Sequence, residues 1–351
     1  MVLRGALLGC GHISPFHLRA WERIKGVEIV ALANRTVSKA EARAREFGIP
    51  LEHVYGDYRE LLENEELDFV DIATAPHVHR QQVEAAAAHG LHVLCQKPFA
   101  PTLDDARAMM GACDRAGVLF SINENWRWRS WYREVKHLLD QGMIGRPRYI
   151  RVSRRSDAAL PRPDGSPHPV FVEQAYMAEL DRLIFYEWGI HIIDVMRFFF
   201  GRVTSVYARM DQVSPLYKGE DRALVTLTFG DVTGLIDASW ATIGAEHRFS
   251  HLEHMALEGD AGSIHLLPEQ GDILQVTTRC DTWQQPAFDV TPDEAYQASY
   301  VAAQQHFIDC LREGRLPETV ASDNFKTLEA TMAAYESAAK NQVITLYDEH
   351  T

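Results

Sequence analysis

The chain is short of the features that mark several large protein classes. Its 351 residues hold five cysteines, Cys10, Cys95, Cys113, Cys280 and Cys310, with no C-x-x-C pair and no zinc-type spacing. That excludes a secreted disulfide framework and a cysteine-based zinc fold, and reduced thiols in a cytoplasmic setting are expected. No apolar run approaches the roughly 20 residues that a membrane-spanning helix needs. The opening Met1-Val2-Leu3-Arg4 leads straight into a strand pattern, so no signal peptide is expected. Positive charge is scarce: 35 Lys and Arg stand against 49 Asp and Glu, a net charge of −14. Such a balance disfavours nucleic acid and anionic membranes as partners. No internal repeat is visible. The length suffices for two domains with a sizeable core.

The most informative stretch that is present lies near the start. Ala6-Leu7-Leu8 runs into Gly9-Cys10-Gly11-His12-Ile13-Ser14, which reads as strand, glycine turn and helix start. A turn of this kind brings backbone N–H groups to a pyrophosphate at a helix N-terminus, where the helix dipole favours negative charge. Gly9 is expected to make the tight turn and Gly11 to clear the phosphates, while Ser14 replaces the usual third glycine. A helical pattern follows at Phe16–Ile24 and a second apolar strand at Val27–Ala33.

Asn34 stands where an acid usually bonds the adenosine ribose of NAD. Arg35, Thr36 and Lys39 follow it. A carboxylate there would repel a 2′-phosphate, whereas a guanidinium and a hydroxyl can bind one. The cofactor is therefore read as NADP or NAD, with the balance toward NADP(H). The plainer reading has Arg35 stacked on adenine and Lys39 solvated.

Strand and helix patterns alternate up to about residue 122, as in a doubly wound parallel sheet. The ligand crevice of such a sheet lies at the carboxyl ends of its strands. Two of those ends are chemically loaded: Thr74-Ala75-Pro76-His77-Val78-His79 and Gln96-Lys97-Pro98. The second half reads as strands at 148–153, 203–210, 223–229, 233–240, 251–258 and 263–267, joined by turns such as Gly230-Asp231. These predict an open, largely antiparallel sheet. Helices are expected at 187–200, 294–313 and 324–340. A Pro-rich segment, 157–169, is expected to be an exposed loop, serving either as a substrate lid or as plain surface. The division expected is an N-terminal Rossmann domain, 1–123, and a C-terminal α+β domain, 124–351.

Lys97 sits between Gln96 and Pro98 at a predicted strand end, and proline biases the preceding residues toward extended geometry. A lysine there can bond a ribose and a substrate oxygen together. Glu187, His191 and Asp194 share one face of a predicted helix, being four and three residues apart. Histidine suits proton transfer near neutral pH, and a neighbouring carboxylate can orient it. Gly189 between them is expected to leave room for substrate or cofactor. The bland alternative is a capping Glu and a buried structural His. No third ligand accompanies the Glu187–His191 pair, so no metal is expected. Asn125 and Arg127, in Asn123-Glu124-Asn125-Trp126-Arg127-Trp128, are candidate sugar contacts, with core packing or a salt bridge as the alternative for Arg127 and Trp128. His247, His251 and His254 are read as surface or interface histidines.

In this order the motifs resemble the glucose–fructose oxidoreductase/inositol dehydrogenase (Gfo/Idh/MocA) family over nearly the whole length. The resemblance rests on Gly9–Ile13, Ala73-Thr74-Ala75-Pro76 with His79, Lys97-Pro98 and Gly142-Met143-Ile144-Gly145. It continues through Gly189 with His191 and Asp194, Gly259-Asp260-Ala261-Gly262-Ser263 and Ala334-Tyr335-Glu336-Ser337. It implies a Rossmann domain followed by a large open sheet, redox chemistry on a sugar or polyol, and a homodimer or homotetramer built through that sheet. Gln96 replaces the glutamate of the family's Glu-Lys-Pro motif, and Glu187 replaces its usual aspartate. The nucleotide site then comprises Gly9, Cys10, Gly11, His12, Ile13, Asn34, Arg35, Thr36, Thr74, Pro76, His79, Gln96 and Lys97. The catalytic set is Lys97, His191 and Glu187, and the substrate set is Lys97, Asn125, Arg127, Glu187, His191 and Asp194. Two other functions fit the same fold: NAD-assisted glycoside cleavage, and a nucleotide sensor without catalysis. The presence of both Lys97 and His191 argues against the sensor.

Overall fold

A computed structural model describes residues 2–244 and 252–346. The first part alternates strand and helix: β1 (Leu3–Leu8), α1 (Ser14–Trp21), β2 (Val27–Ala33), α2 (Val37–Phe47), β3 (Val54–Tyr55), α3 (Tyr58–Asn64), β4 (Phe69–Ile72), α4 (Pro76–Ala88), β5 (His92–Gln96), α5 (Leu103–Ala116) and β6 (Phe120–Asn123). The six strands pair in parallel in the order β3-β2-β1-β4-β5-β6. The order reverses between β1 and β4, the switch point at which such sheets take their ligands. Apolar runs become strands here because both faces are covered: every residue of β4 is buried. Local chemistry sets the helix ends. The Thr102 hydroxyl accepts the Asp105 N–H at the start of α5, and Gly117 closes that helix in the left-handed conformation.

The second part carries α6 (Ser130–Asp140), β7 (Pro147–Arg155), α7 (Pro169–Glu173) and a π-helical turn, Phe185–Gly189, which runs into α8 (Ile190–Phe200). Seven strands follow: β8 (Ser205–Asp211), β9 (Arg222–Phe229), β10 (Val232–Ser239), β11 (His254–Gly259), β12 (Gly262–Leu267), β13 (Ile273–Thr278) and β14 (Thr282–Pro286). Two long helices, α9 (Pro292–Glu313) and α10 (Ala321–Lys340), and a short β15 (Ile344–Thr345) follow. The sheet has nine strands in the order β14-β13-β12-β11-β7-β10-β9-β8-β15. Its pairs are antiparallel except β7 with β10. Burial alternates along β9, whose inward residues Val225 and Leu227 join Ile150, Ile236, Leu257 and Ile192 of α8 in one core.

The chain forms two compact units, residues 1–125 with 297–325, and 126–296 with 326–351. The single boundary expected after residue 123 does not include this return of 297–325 to the first unit. Segment 156–168 holds neither helix nor strand. The strand expected over 251–258 starts at His254 in the described residues, and His247 and His251 lie outside them. His254 is half-buried on β11. Among the described residues no helix is long and apolar enough to cross a membrane.

Candidate active site

The glycine turn is built as the first unit requires. Gly9 has φ +105°, and a Cβ there would lie 2.7 Å from the Ala73 carbonyl oxygen. Only glycine fits that position without strain. At Gly11 a Cβ would meet nothing within 4 Å, so the space above the turn is open. Ile13 begins α1 with no side-chain cap, which leaves the helix N-terminus to other acceptors. The Ser14 hydroxyl donates to the Gly11 carbonyl at 2.7 Å and accepts from Arg43 Nε at 3.1 Å. An open turn at a helix N-terminus fits a dinucleotide pyrophosphate.

Asn34 serves this turn directly. Its Oδ1 accepts the Cys10 N–H at 3.0 Å, and its Nδ2 donates to the Thr36 carbonyl at 2.8 Å. The side chain thus ties the end of β2 to the turn. Burial pushes the Cys10 thiol up to about 12 against the opposing charge of Arg43, so this cysteine contributes backbone and not reactivity. His12, Arg35, Thr36 and Lys39 are exposed, and Ile13 is half-buried.

The two loaded strand ends are joined by His79. Its Nε2 lies 2.9 Å from the Thr74 carbonyl and its Nδ1 3.1 Å from the Phe99 carbonyl. Two carbonyls would suit an imidazolium, yet neither brings a charge to offset burial. Desolvation prevails and lowers the ring's pKa to about 4. The Thr74 hydroxyl donates to Gln82 Oε1 at 2.6 Å, and Pro76 opens α4. Lys97 follows the last residue of β5, half-buried, with a cis bond to Pro98. Its N–H donates to Gln96 Oε1 at 2.6 Å. In the same unit, Asn125 is buried and donates to the Ser299 hydroxyl at 2.7 Å.

In the second unit His191 is 5 % exposed, one residue into α8. Its ring stacks on Trp126 with centroids 4.4 Å apart and planes within 4°. The Arg129 guanidinium rests on the same indole, 3.5 Å from its centroid, and is held by Glu253 at 3.3 Å. Glu253 also accepts from the Tyr132 hydroxyl at 2.7 Å. A flat ring packed on a flat ring restricts rotation, so Trp126 sets the plane of the imidazole. Glu187 lies half-buried in the π-turn one turn earlier. After burial, its charge is the next cause that raises the Tyr186 hydroxyl.

Glu220 anchors the start of that turn. Its carboxylate accepts the N–H groups of Leu183 and Phe185 at 3.1 and 3.0 Å and the Tyr335 hydroxyl at 2.6 Å. Burial nevertheless raises its pKa. The space freed by Gly189 is taken by the Phe185 ring, which a Cβ would meet at 2.3 Å. The expectation that Gly189 makes room for a ligand is therefore corrected: it makes room for packing within its own turn. π-turns recur where a helix must re-aim functional side chains.

Arg127 and Asp194 face each other. Arg127 Nε and Nη2 reach Asp194 Oδ2 and Oδ1 at 2.7 and 2.6 Å, and both side chains are buried. Thr327 adds a third donor at 3.0 Å. This bidentate pair, the salt-bridge alternative for Arg127, braces α8. The sequence did not single out Arg129, Glu220, Glu253 or Arg43. Each acts on a partner distant along the chain, or one helical turn away, and no motif marks it. Among the described residues no three His, Cys, Asp or Glu side chains converge as a metal site.

Residues 3–124 match the family model described as an oxidoreductase family with an NAD-binding Rossmann fold, and residues 132–265 match the GFO/IDH/MocA C-terminal domain. The chain is 41% identical over 350 residues to a D-apiose dehydrogenase of Paraburkholderia graminis, covering 98% of this chain and 89% of the relative. It is 38% identical to a D-apiose dehydrogenase of Rhizobium rhizogenes over 98% of this chain and 97% of that one. A crystal structure of an oxidoreductase from Agrobacterium radiobacter, in complex with NAD+, L-tartaric acid and magnesium, superposes with a TM-score of 0.90. It is 36% identical and covers 98% of both chains.

Proposed function

Because this chain belongs to the Gfo/Idh/MocA oxidoreductase family, we propose that it oxidises a hydroxyl group of D-apiose or a closely similar branched sugar. It is an NAD(P)-dependent dehydrogenase acting on a CH–OH group of a sugar or polyol. The observation that carries the finer reading is the end-to-end similarity to two D-apiose dehydrogenases at 41% and 38% identity. Nothing favours glycoside cleavage or a sensor.

The nicotinamide, when bound, supplies the two-electron acceptor. His191 takes the hydroxyl proton, with its ring plane held by Trp126. Lys97 holds the substrate oxygen as negative charge develops on it. Glu187, in the preceding turn, is assigned to orient His191, with one methylene more than the aspartate usual in the family. Arg127 and Asp194 support α8 through their salt bridge. Gly9, Gly11, Ile13 and the Asn34 brace form the nucleotide end.

The nucleotide preference reads toward NADP(H), although the 36% identical structure holds NAD+. The support is the absence of a carboxylate at Asn34 and the exposure of Arg35, Thr36 and Lys39 beside it. Assembly through the outer face of the nine-stranded sheet belongs to the same reading. On β9, Arg222 and Leu224 point outward, and Leu224 is 48 % exposed. A cytoplasmic setting suits the five free thiols.

The test is turnover of D-apiose, inositols and other sugars with each nucleotide, followed by absorbance of the reduced nicotinamide. D-Apiose should lead the panel, and indifference to it would remove the substrate reading. Lys97→Ala and His191→Ala should each cost about 10²–10⁴-fold in kcat while nucleotide still binds. Near-normal turnover in both would overturn the assigned chemistry. Arg35→Ala should weaken NADP(H) by about ten- to a hundredfold and spare NAD(H). Equal weakening would mean that Arg35 only stacks on adenine.

A further inference from the structure

A buried polar cluster behind Lys97 has no part in the chemistry above. His17 of α1 and Asp71 of β4 are fully buried, and His17 Nδ1 lies 2.8 Å from Asp71 Oδ2. The Trp21 indole donates to that same oxygen at 2.7 Å. An indole N–H only donates, so this oxygen accepts from Trp21, and as a carboxylate oxygen it accepts from His17 Nδ1–H as well. At the other end, the Lys97 N–H donates to Gln96 Oε1 at 2.6 Å. That fixes the amide with its oxygen toward Lys97 and its NH₂ inward. Gln96 Nε2 then meets His17 Nε2 at 3.1 Å. The two constraints converge on one donor and one acceptor: an amide N–H facing a bare imidazole nitrogen.

We propose that His17 and Asp71 are positioning residues for Lys97, acting through the Gln96 amide. The inference rests on the reading of Lys97 as catalytic. Asp71 holds the tautomer of His17, His17 holds the amide, and the amide holds the backbone from which the Lys97 side chain projects. Gln96 is thus matched to this core. A glutamate at 96 would place an acceptor against the bare Nε2, and the ring would have to take a second proton to sit between two carboxylates. The other groups facing His17 are the Asn123 amide from β6, whose Nδ2 lies 3.4 Å from Nδ1 and 3.5 Å from the bare Nε2, and the Tyr300 ring from α9 at 5.3 Å. Gln304 of α9 reaches Asp71 at 3.4 Å, and the neighbouring Cys95 thiol is held protonated by burial and by Asp71.

The experiment reads both the tautomer and the rate. Nitrogen NMR of 15N-histidine protein, with His17→Gln to assign the signal, should show His17 with Nδ1–H and an unprotonated Nε2. In Gln96→Glu the same ring should be doubly protonated near neutral pH. The kcat profile of that variant should gain an ionisation absent from the wild type. Above that ionisation kcat should fall by up to about a hundredfold, with a smaller change in KM. The Gln96→Glu/His17→Gln pair should lose the new ionisation, because an amide at 17 can turn its N–H toward the carboxylate. An Nε2–H tautomer in the wild type would overturn the proposal, as would a Gln96→Glu profile superimposable on it. The wild-type tautomer decides even where a variant fails to fold. Native turnover by Lys97→Ala would remove the reading of Lys97 and leave the tautomer result standing.

Discussion

The pair that braces the histidine helix should dominate the stability of the second unit. Asp194 receives two N–H groups from Arg127 at 2.6 and 2.7 Å and a hydroxyl from Thr327 at 3.0 Å. Thr327 in turn accepts Arg197 Nη1 at 2.8 Å. The Arg127 and Asp194 side chains are 5 % and 0 % exposed, so water does not screen them. Asp194→Ala removes the carboxylate and leaves the Arg127 guanidinium buried without it. Breaking a buried pair in this way costs about 3–5 kcal/mol. For a unit of about 200 residues, each kcal/mol lowers Tm by about 2–4 °C, so a fall of roughly 6–20 °C is expected. The double variant Arg127→Met/Asp194→Leu replaces both ends with apolar groups and should recover most of the loss, since neither desolvated charge remains. The assay is calorimetry or urea unfolding of the wild type, both single variants and the double variant. A coupling energy below about 0.5 kcal/mol would place the pair with independent sites and refute the argument. Because α8 carries His191, kcat should fall in Asp194→Ala even at temperatures where the protein stays folded.

Trp126→Leu should lower kcat by about tenfold or more with less effect on KM, because the ring that fixes the imidazole plane is gone, and Trp126→Phe should recover part of it. Unchanged kcat in Trp126→Leu would mean that the stack is packing alone. His79 gives a pH dependence. Its folded pKa of about 4 lies below the ordinary value near 6.5, so its contribution is complete above that value and is lost as pH falls toward 4. The loss amounts to about 3 kcal/mol at most. Urea unfolding from pH 7.5 to 4.5 should show a slope that His79→Gln flattens; parallel curves for the two proteins would contradict a neutral buried ring.

The sequence by itself determined what depends on neighbours along the chain. The glycine turn, the alternation of strands and helices to residue 123 and the Gly230-Asp231 hairpin are local patterns, and they occur where their periodicity and turn residues place them. The placement of Lys97 after β5 and of His191 on α8 follows from the same signals. Several elements were not expected, among them Ser130–Asp140 and Ile273–Thr278. Thr282–Pro286 is a polar strand that exists because β13 pairs with it, and Ile344–Thr345 is two residues long and relies on β8. Only the tertiary structure decided what the site residues touch. Arg127 meets Asp194 across 67 positions, His17 meets Asp71 across 54, and Glu220 caps a turn 35 residues before it. The helix carrying His191 and Asp194 was legible, but not the π-turn that holds Glu187 or the Phe185 ring that fills the space at Gly189. Side-chain pairing is settled by desolvation: a buried charge or donor takes whatever partner the packed fold brings within reach, and that partner is written nowhere near it in the chain.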